Sequence, residues 1–257
     1  MSLHEDIFLA ISQHLSNKQN IMLTGTSTKM NQLKHKIIYK EKVRIKKITH
    51  LSYFDNFENI NICGFGYFEH LPKKIKHIYC DDRLPKSDNL KFMTTLTFKG
   101  DDFSMIKNNI PSSVTKLIIS PSYGVKYLRN IDIPHSVTYL KFSGYWTGKP
   151  ICHIPATVTH LIFNPWFNRS IELLIPSSVT HLAFGDCFDQ PIKNNIPSSV
   201  THLTFGRNFD QYIRDSIPSS VISLTLCPYD EHKKWKPTWY YLKDVPKTIP
   251  YVTLKNC

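Results

Sequence analysis

The dipeptide Ile-Pro returns at residues 154–155, 175–176, 196–197 and 217–218, with a step of 21 residues each time. Upstream, Ile110-Pro111 and Ile133-Pro134 continue the series with steps of 23 and then 21. A period of this length marks a solenoid, in which no single repeat can bury its own apolar face and each must stack on its neighbours. The repeat therefore constrains the architecture strongly. It constrains the partner weakly, because what a solenoid binds is not written in its repeating residues.

One unit, Ile196 to Ile217, shows how a turn is built. Val200, Leu203 and Phe205 follow a V-x-x-L-x-F pattern. Leu203 and Phe205 are two apart and share one face of a strand, while His202 and Thr204 point to the other. Gly206-Arg207-Asn208 breaks the strand. Phe209, Ile213 and Ile217 are then spaced by four, which suits a helical or 3₁₀ turn returning to the next strand. Pro218 has a fixed φ and no N–H, so it belongs ahead of a strand rather than inside one.

The string I-P-x-x-V-x-x-L-x-F-x-x-N resembles a leucine-rich repeat, and most closely the FNIP repeat, which is abundant in slime moulds and giant DNA viruses. The pairs Phe167-Asn168, Phe188-Asp189 and Phe209-Asp210 carry the match, each with an isoleucine four residues on (Ile171, Ile192, Ile213). Weaker turns fit the same spacing at Ile48–Tyr53, Pro72–Ile78, Met93–Phe98 and Pro246–Leu254. Strands are expected to start near residues 48, 75, 93, 114, 137, 158, 179, 200, 221 and 249. The expected fold is an α/β solenoid, a right-handed, leucine-rich-repeat-like array of about ten turns. Its parallel sheet would be about 45 Å long at ~4.8 Å per strand.

Residues 3–33 do not repeat. Leu3, Ile7, Ile11 and Leu15 lie at i, i+4, i+8 and i+12, an apolar stripe on a helix. Ser16-Asn17 ends it, Ile21, Met22 and Leu23 form a second apolar cluster, and Thr28 is placed to cap a third segment. This stretch resembles an F-box. Leu3, Ile7, Ile11 and Leu15 match the first part of that pattern, Ile21 and Leu23 the second, and Ser27-Thr28-Lys29-Met30 the third. His4, Asn17 and Met30 stand where the pattern has proline, proline and tryptophan. The resemblance implies docking on the Skp adaptor of a cullin-based ubiquitin ligase through Leu3, His4, Ile7, Ile11, Ile21, Met22 and Leu23. The other reading of the segment is a helical cap over the first edge of the solenoid. The domain boundaries expected are 1–46 for the F-box-like segment with a basic linker, and 47–257 for the repeats with a C-terminal cap.

The chain has a formal net charge of +12, with Lys29, Lys34, Lys36, Lys40, Lys42, Arg44, Lys46 and Lys47 gathered against Glu41 alone. Such a run either attracts an acidic partner or is a solvated lysine-rich face. No apolar run approaches the ~20 residues needed to span a bilayer, so no membrane association is expected. Glu5 and Asp6 interrupt the start, so it does not read as a secretory signal. The six cysteines (63, 80, 152, 187, 227, 257) have no C-x-x-C spacing and are expected to be reduced, with Cys187 a buried structural thiol. The expected location is the cytoplasm (a host's, if the chain is viral) or the nucleus.

Histidines recur at one strand position: His50, His77, His160, His181 and His202. The last three lie on consecutive turns and should stack about 5 Å apart. They read either as a pH-sensitive or metal-binding ladder, or as one unit copied on a solvated face. Crowding should disfavour full protonation of the trio. The preceding threonines (94, 115, 138, 159, 180, 201) suit a sheet, and the Ser-Ser pairs read as turn residues. Tyr79, Lys116, Ile118, Tyr139, Lys141, Ile162 and Tyr251 should project outward beside them. The target-binding face read from this pattern is Tyr79, Lys116, Ile118, Tyr139, Lys141, His160, Ile162, His181 and His202. Two insertions lengthen the pitch, at 54–71 and 227–245; the second holds Tyr229, Trp235, Trp239, Tyr240 and Tyr241 among lysines and reads as a cap.

Catalytic motifs are missing: no P-loop, G-x-G-x-x-G or H-E-x-x-H is present, and a serine pair copied on four turns is no single catalytic centre. No cofactor or metal is expected. The sequence points to a monomeric protein–protein interaction module, an F-box receptor with a Skp-type adaptor on its N-terminus and an unknown target protein on its repeats. A repeat scaffold with no ligase link is the rival. A basic nucleic-acid-binding solenoid rests only on charge and the aromatics of 229–241, and steep salt dependence would mark it.

Overall fold

The computed structural model describes residues 3–64, 68, 70–81, 83–100, 102, 106, 109–121, 131–145, 152–227 and 244–255. The chain forms two compact units, residues 1–97 and 98–257.

The first unit opens with three short helices, α1 (Leu3–Ser12), α2 (Asn17–Thr24) and α3 (Thr28–Leu33). Glu5 and Asp6 in the first turn of α1 oppose the positive end of its dipole. A capping box starts α2: the Ser16 hydroxyl accepts from the Gln19 amide, and the Gln19 side chain accepts from the Ser16 amide. Ser27, one residue before the expected cap, receives the Met30 amide and starts α3. Buried Asn20 donates its side-chain amide to the Ser12 carbonyl and fastens α2 to α1.

Four parallel strands follow in spatial order: β1 (Val43–Arg44), β2 (Asn59–Asn61), β3 (His77–Cys80) and β4 (Thr95–Phe98). Stacked Tyr39 and Phe57, with centroids 4.7 Å apart, fill the core beside β1 and β2. Burial, with Tyr53 nearby, pushes the Tyr39 hydroxyl well above the ordinary tyrosine range. The strand expected near residue 48 is not there. Ile45–Lys47 and Phe54–Asn56 are 3₁₀ turns, and the strands of this region are β1 and β2, the latter inside the expected insertion. Ile45 and Ile48, three apart, turn inward together as a 3₁₀ turn allows and a strand does not.

In the second unit β5 (Lys116–Ile119), β7 (Tyr139–Phe142), β9 (His160–Ile162), β10 (His181–Ala183), β11 (His202–Phe205), β12 (Ser223–Leu226) and β13 (Tyr251–Leu254) lie side by side and parallel, about seven turns of a β-solenoid. A separate two-stranded ladder joins β6 (Ile131–Asp132) to β8 (Cys152–His153). From β3 onward, all nine main-sheet strands expected at the V-x-x-L-x-F positions are present.

Three side-chain rows explain why this sequence stacks. Val114, Val137, Val158, Val179, Val200 and Val221 are buried and each donates its amide to the proline carbonyl three residues earlier, closing a turn ahead of each strand. Leu117, Leu140, Leu161, Leu182, Leu203 and Leu224 form the second buried row. The third is aromatic. Phe163, Phe184 and Phe205 stack in series 5.4 and 5.5 Å apart, and each packs a phenylalanine four residues on, with Phe205 3.8 Å from Phe209. Between turns, hydroxyls of Ser178, Ser199 and Ser220 donate to valine carbonyls of the preceding turn. In these three pairs the second serine thus ties one turn to the one before it. The Phe-Asn pair does the same. Asn168 Oδ1 accepts from the Asp189 amide, and Asp189 Oδ1 from the Asp210 amide. The return side is made of hydrogen-bonded turns, such as Ser216 to Ile213, rather than helix.

Candidate functional site

Two surfaces carry the residues singled out from the sequence, one in each unit. On α1, Phe8 and Ser12 turn into the protein, while Ile7 and Ile11 are 50% and 49% exposed. On α2, Asn20 and Thr24 are buried, and Ile21 and Met22 are 42% and 64% exposed. Leu23 is half-buried. Of the stripe recognised from spacing, Ile7 and Ile11 therefore face solvent and Leu15 is half-buried, while Phe8, outside it, is the anchor. Leu3 and His4 lie within α1, but their side chains are outside the described residues. Of the basic run, Lys36 pairs with Glu5, Lys34 sits over the Tyr53 ring at 5.6 Å, and Lys42 lies 3.9 Å from the Tyr79 centroid. Tyr79 also stacks on His77 at 4.0 Å.

The second surface is the solvent face of the sheet. Strand register places Lys116, Tyr139, His160, His181, His202, Ser223 and Tyr251 in one row. Ile118, Lys141, Ile162, Ala183 and Thr204 form the row beside it. The expected histidine stack is present and tighter than anticipated: centroids are 4.1 Å apart from His160 to His181 and 4.2 Å from His181 to His202, with planes 12° and 8° from parallel. Tyr139 stacks on His160 at 5.8 Å, and the Lys116 ammonium lies 4.3 Å from the Tyr139 centroid, a cation–π contact. His50, by contrast, is an exposed turn residue.

The threonines set the chemistry of this row. The hydroxyls of Thr159, Thr180 and Thr201 each lie 3.2 Å from the preceding turn's threonine carbonyl and 2.9–3.0 Å from Nδ1 of the next residue's imidazole. In the imidazolium both ring nitrogens carry protons, so there Nδ1–H donates to Oγ1 and the hydroxyl proton goes to the carbonyl. Nε2, the ring nitrogen away from the threonine, is then a second donor in the charged ring. Burial lowers the pKa of His181, and the flanking His160 and His202 lower it further. Parallel rings send their Nε2 lone pairs out side by side, whereas a metal needs them to converge. Among the described residues no cluster of histidine, cysteine or carboxylate side chains is placed to hold a metal ion.

Two readings of the cysteines need correction. Cys227 is disulfide-bonded, so the thiols are not all reduced. Cys187 is a free, half-buried thiol rather than a fully buried one, raised in pKa by burial and by Asp186. Tyr229, Trp235, Trp239, Tyr240 and Tyr241 lie outside the described residues. Sequence reasoning missed the exposed Tyr145–Trp166 pair, with centroids 5.9 Å apart, which two different repeats contribute. No described helix is long and apolar enough to cross a membrane.

These features define a parallel-strand repeat protein that stacks its turns through Val, Leu and Phe rows and presents a sheet face of mixed polar, aromatic and aliphatic side chains to solvent. The sequence profile of the FNIP repeat matches residues 104–145, 150–187 and 188–227, so this stretch of the chain is similar to FNIP repeats. Among solved structures it is similar to CroV588, described as a novel circular leucine-rich-repeat protein, at 21% identity and a TM-score of 0.51. That match covers 84% of this chain and 35% of CroV588, so the chain spans about a third of that protein's length. No curated protein matched in sequence.

Proposed function

We propose that the chain is a non-catalytic receptor that joins two proteins: a Skp-type adaptor of a cullin ubiquitin ligase at its N-terminal helices and a target protein on the sheet face of its repeats. The observation that carries the adaptor half is the exposure of Ile7, Ile11, Ile21 and Met22 on helices whose inward positions are already filled by Phe8, Ser12, Asn20 and Thr24. Exposed large apolar groups on neighbouring helices contribute nothing to this chain's core and suit a partner's groove. The F-box resemblance names that partner. The target half rests on the repeat architecture, which offers a wide, regular, solvent-facing surface.

The test is co-purification of the full chain with a eukaryotic Skp adaptor, beside Ile7→Asp/Ile11→Asp. Both side chains are half in solvent, so the variant should fold. Capture by the native chain and its loss in the variant is the expected result. No capture by the native chain reduces the helices to a cap and leaves a repeat scaffold.

A further inference from the structure

The sheet face of the second unit has an uneven charge pattern. Strands β5, β7 and β9 to β13 contain Lys116 and Lys141 and the three stacked histidines, and not one aspartate or glutamate. The two lysines sit on adjacent strands in adjacent rows, and His160, His181 and His202 continue the Lys116 row beyond Tyr139. The groups facing His181 are His160 on β9 and His202 on β11, with Thr180 at its Nδ1. The acid that follows β10, Asp186, lies 3.9 Å from Arg207 Nε. Hence the face carries cationic and proton-accepting groups with no carboxylate on its strands to neutralise them.

The threonine contacts orient the histidines for one charge state. In the imidazolium, Nδ1–H donates to the threonine oxygen. Nε2–H is then left to donate as a cation. Three such tips in a row, about one strand spacing apart, extend the positive field begun by Lys116 and Lys141.

We infer that this face binds an acidic peptide segment of the target, whose carboxylates take protonated Nε2–H groups of the His160–His181–His202 stack and the ammonium groups of Lys116 and Lys141. The inference rests on the reading that the repeat face holds the target, and not on adaptor docking. In the free protein, burial and the flanking His160 and His202 disfavour charge on His181; a bound carboxylate row offsets that penalty. Binding then takes up protons, and affinity rises as pH falls.

The test is fluorescence anisotropy of a labelled oligoglutamate peptide titrated with the full chain at about pH 5.5 and about pH 7.5 at constant ionic strength. An oligoglutamine peptide and an oligothymidine strand serve as comparisons. The variants are His160→Asn/His181→Asn/His202→Asn, whose amide can still donate to threonine but has no Nε2, and Lys116→Ala/Lys141→Ala. Expected are oligoglutamate binding tighter by about tenfold or more at the lower pH, loss of that pH dependence in the asparagine variant, and weaker binding at both pH values in the lysine variant. Circular dichroism confirms that both variants are folded. Absence of oligoglutamate binding, equal affinity at the two pH values, retained pH dependence in the folded asparagine variant, or oligothymidine bound as tightly as oligoglutamate would each overturn the inference. The last outcome would mean general polyanion or nucleic-acid attraction. Adaptor capture by the same protein separates the two claims: peptide failure with capture intact removes only the acidic-partner inference.

Discussion

His181 and His202 stack with ring centroids 4.2 Å apart and planes 8° from parallel. Stacked imidazoles one strand spacing apart cannot all carry charge cheaply, and burial and both neighbours lower the pKa of His181 from its ordinary 6.5. In the unfolded chain that depression is gone, so below about pH 6.5 the unfolded state holds more protons. The histidine's contribution to stability is therefore complete above about pH 6.5 and falls away as pH drops towards the folded-state pKa. Urea midpoints should be lower at about pH 5 than at about pH 7.5. His181→Asn should narrow that difference; an unchanged difference would place the pH sensitivity elsewhere.

Gly206 lies where a Cβ would meet the Gly185 carbonyl oxygen at 2.3 Å, and Gly185 stands in the same relation to Asn164 at 2.2 Å. Both obstacles are backbone, so neither can swing away. Gly206→Ala must pry one turn from the next, and the expected loss is about 1–3 kcal/mol by urea denaturation.

Leu173 is fully exposed at φ +53°, and Asn194, one repeat later, has φ +62°. Each is the third residue of a hydrogen-bonded turn, closed by Leu174 to Ile171 and by Asn195 to Ile192. Asparagine enters this left-handed conformation readily, whereas leucine does so at a steric cost. Leu173 buries nothing there, so Leu173→Asn should raise stability by about 1 kcal/mol in the same assay.

Phe205 is completely buried between Phe184 and Phe209, at 5.5 and 3.8 Å. Its loss opens a cavity shared by two turns that a parallel sheet cannot collapse. Phe205→Ala should cost about 3–5 kcal/mol, seen as a large fall in urea midpoint.

The repeats were legible because the same residue types return at fixed offsets and alternation assigns each to a face. From β3 onward the V-x-x-L-x-F spacing located every strand of the main sheet. The first turns were not legible for a physical reason. Asn59-Ile60-Asn61 has one apolar residue and no Ile-Pro turn ahead of it, so β2 read as an insertion, while Ile48–Tyr53 matched the spacing and folded into turns. The histidine row was visible in the sequence, but the Thr180–His181 contact and the threonine's reach to the preceding turn's carbonyl required the stacked geometry. Among the helices, spacing grouped Ile7 with Ile11 correctly and gave no sign of which way they face. Phe8, one residue away, decides that.

The measurement that tests the account most directly is hydrogen–deuterium exchange of the full chain with and without a Skp-type adaptor. Exchange over residues 5–24 is expected to slow on addition of the adaptor, with the strands bearing His160, His181 and His202 unchanged. Protection confined to those strands, or no change anywhere at saturating adaptor, would contradict it.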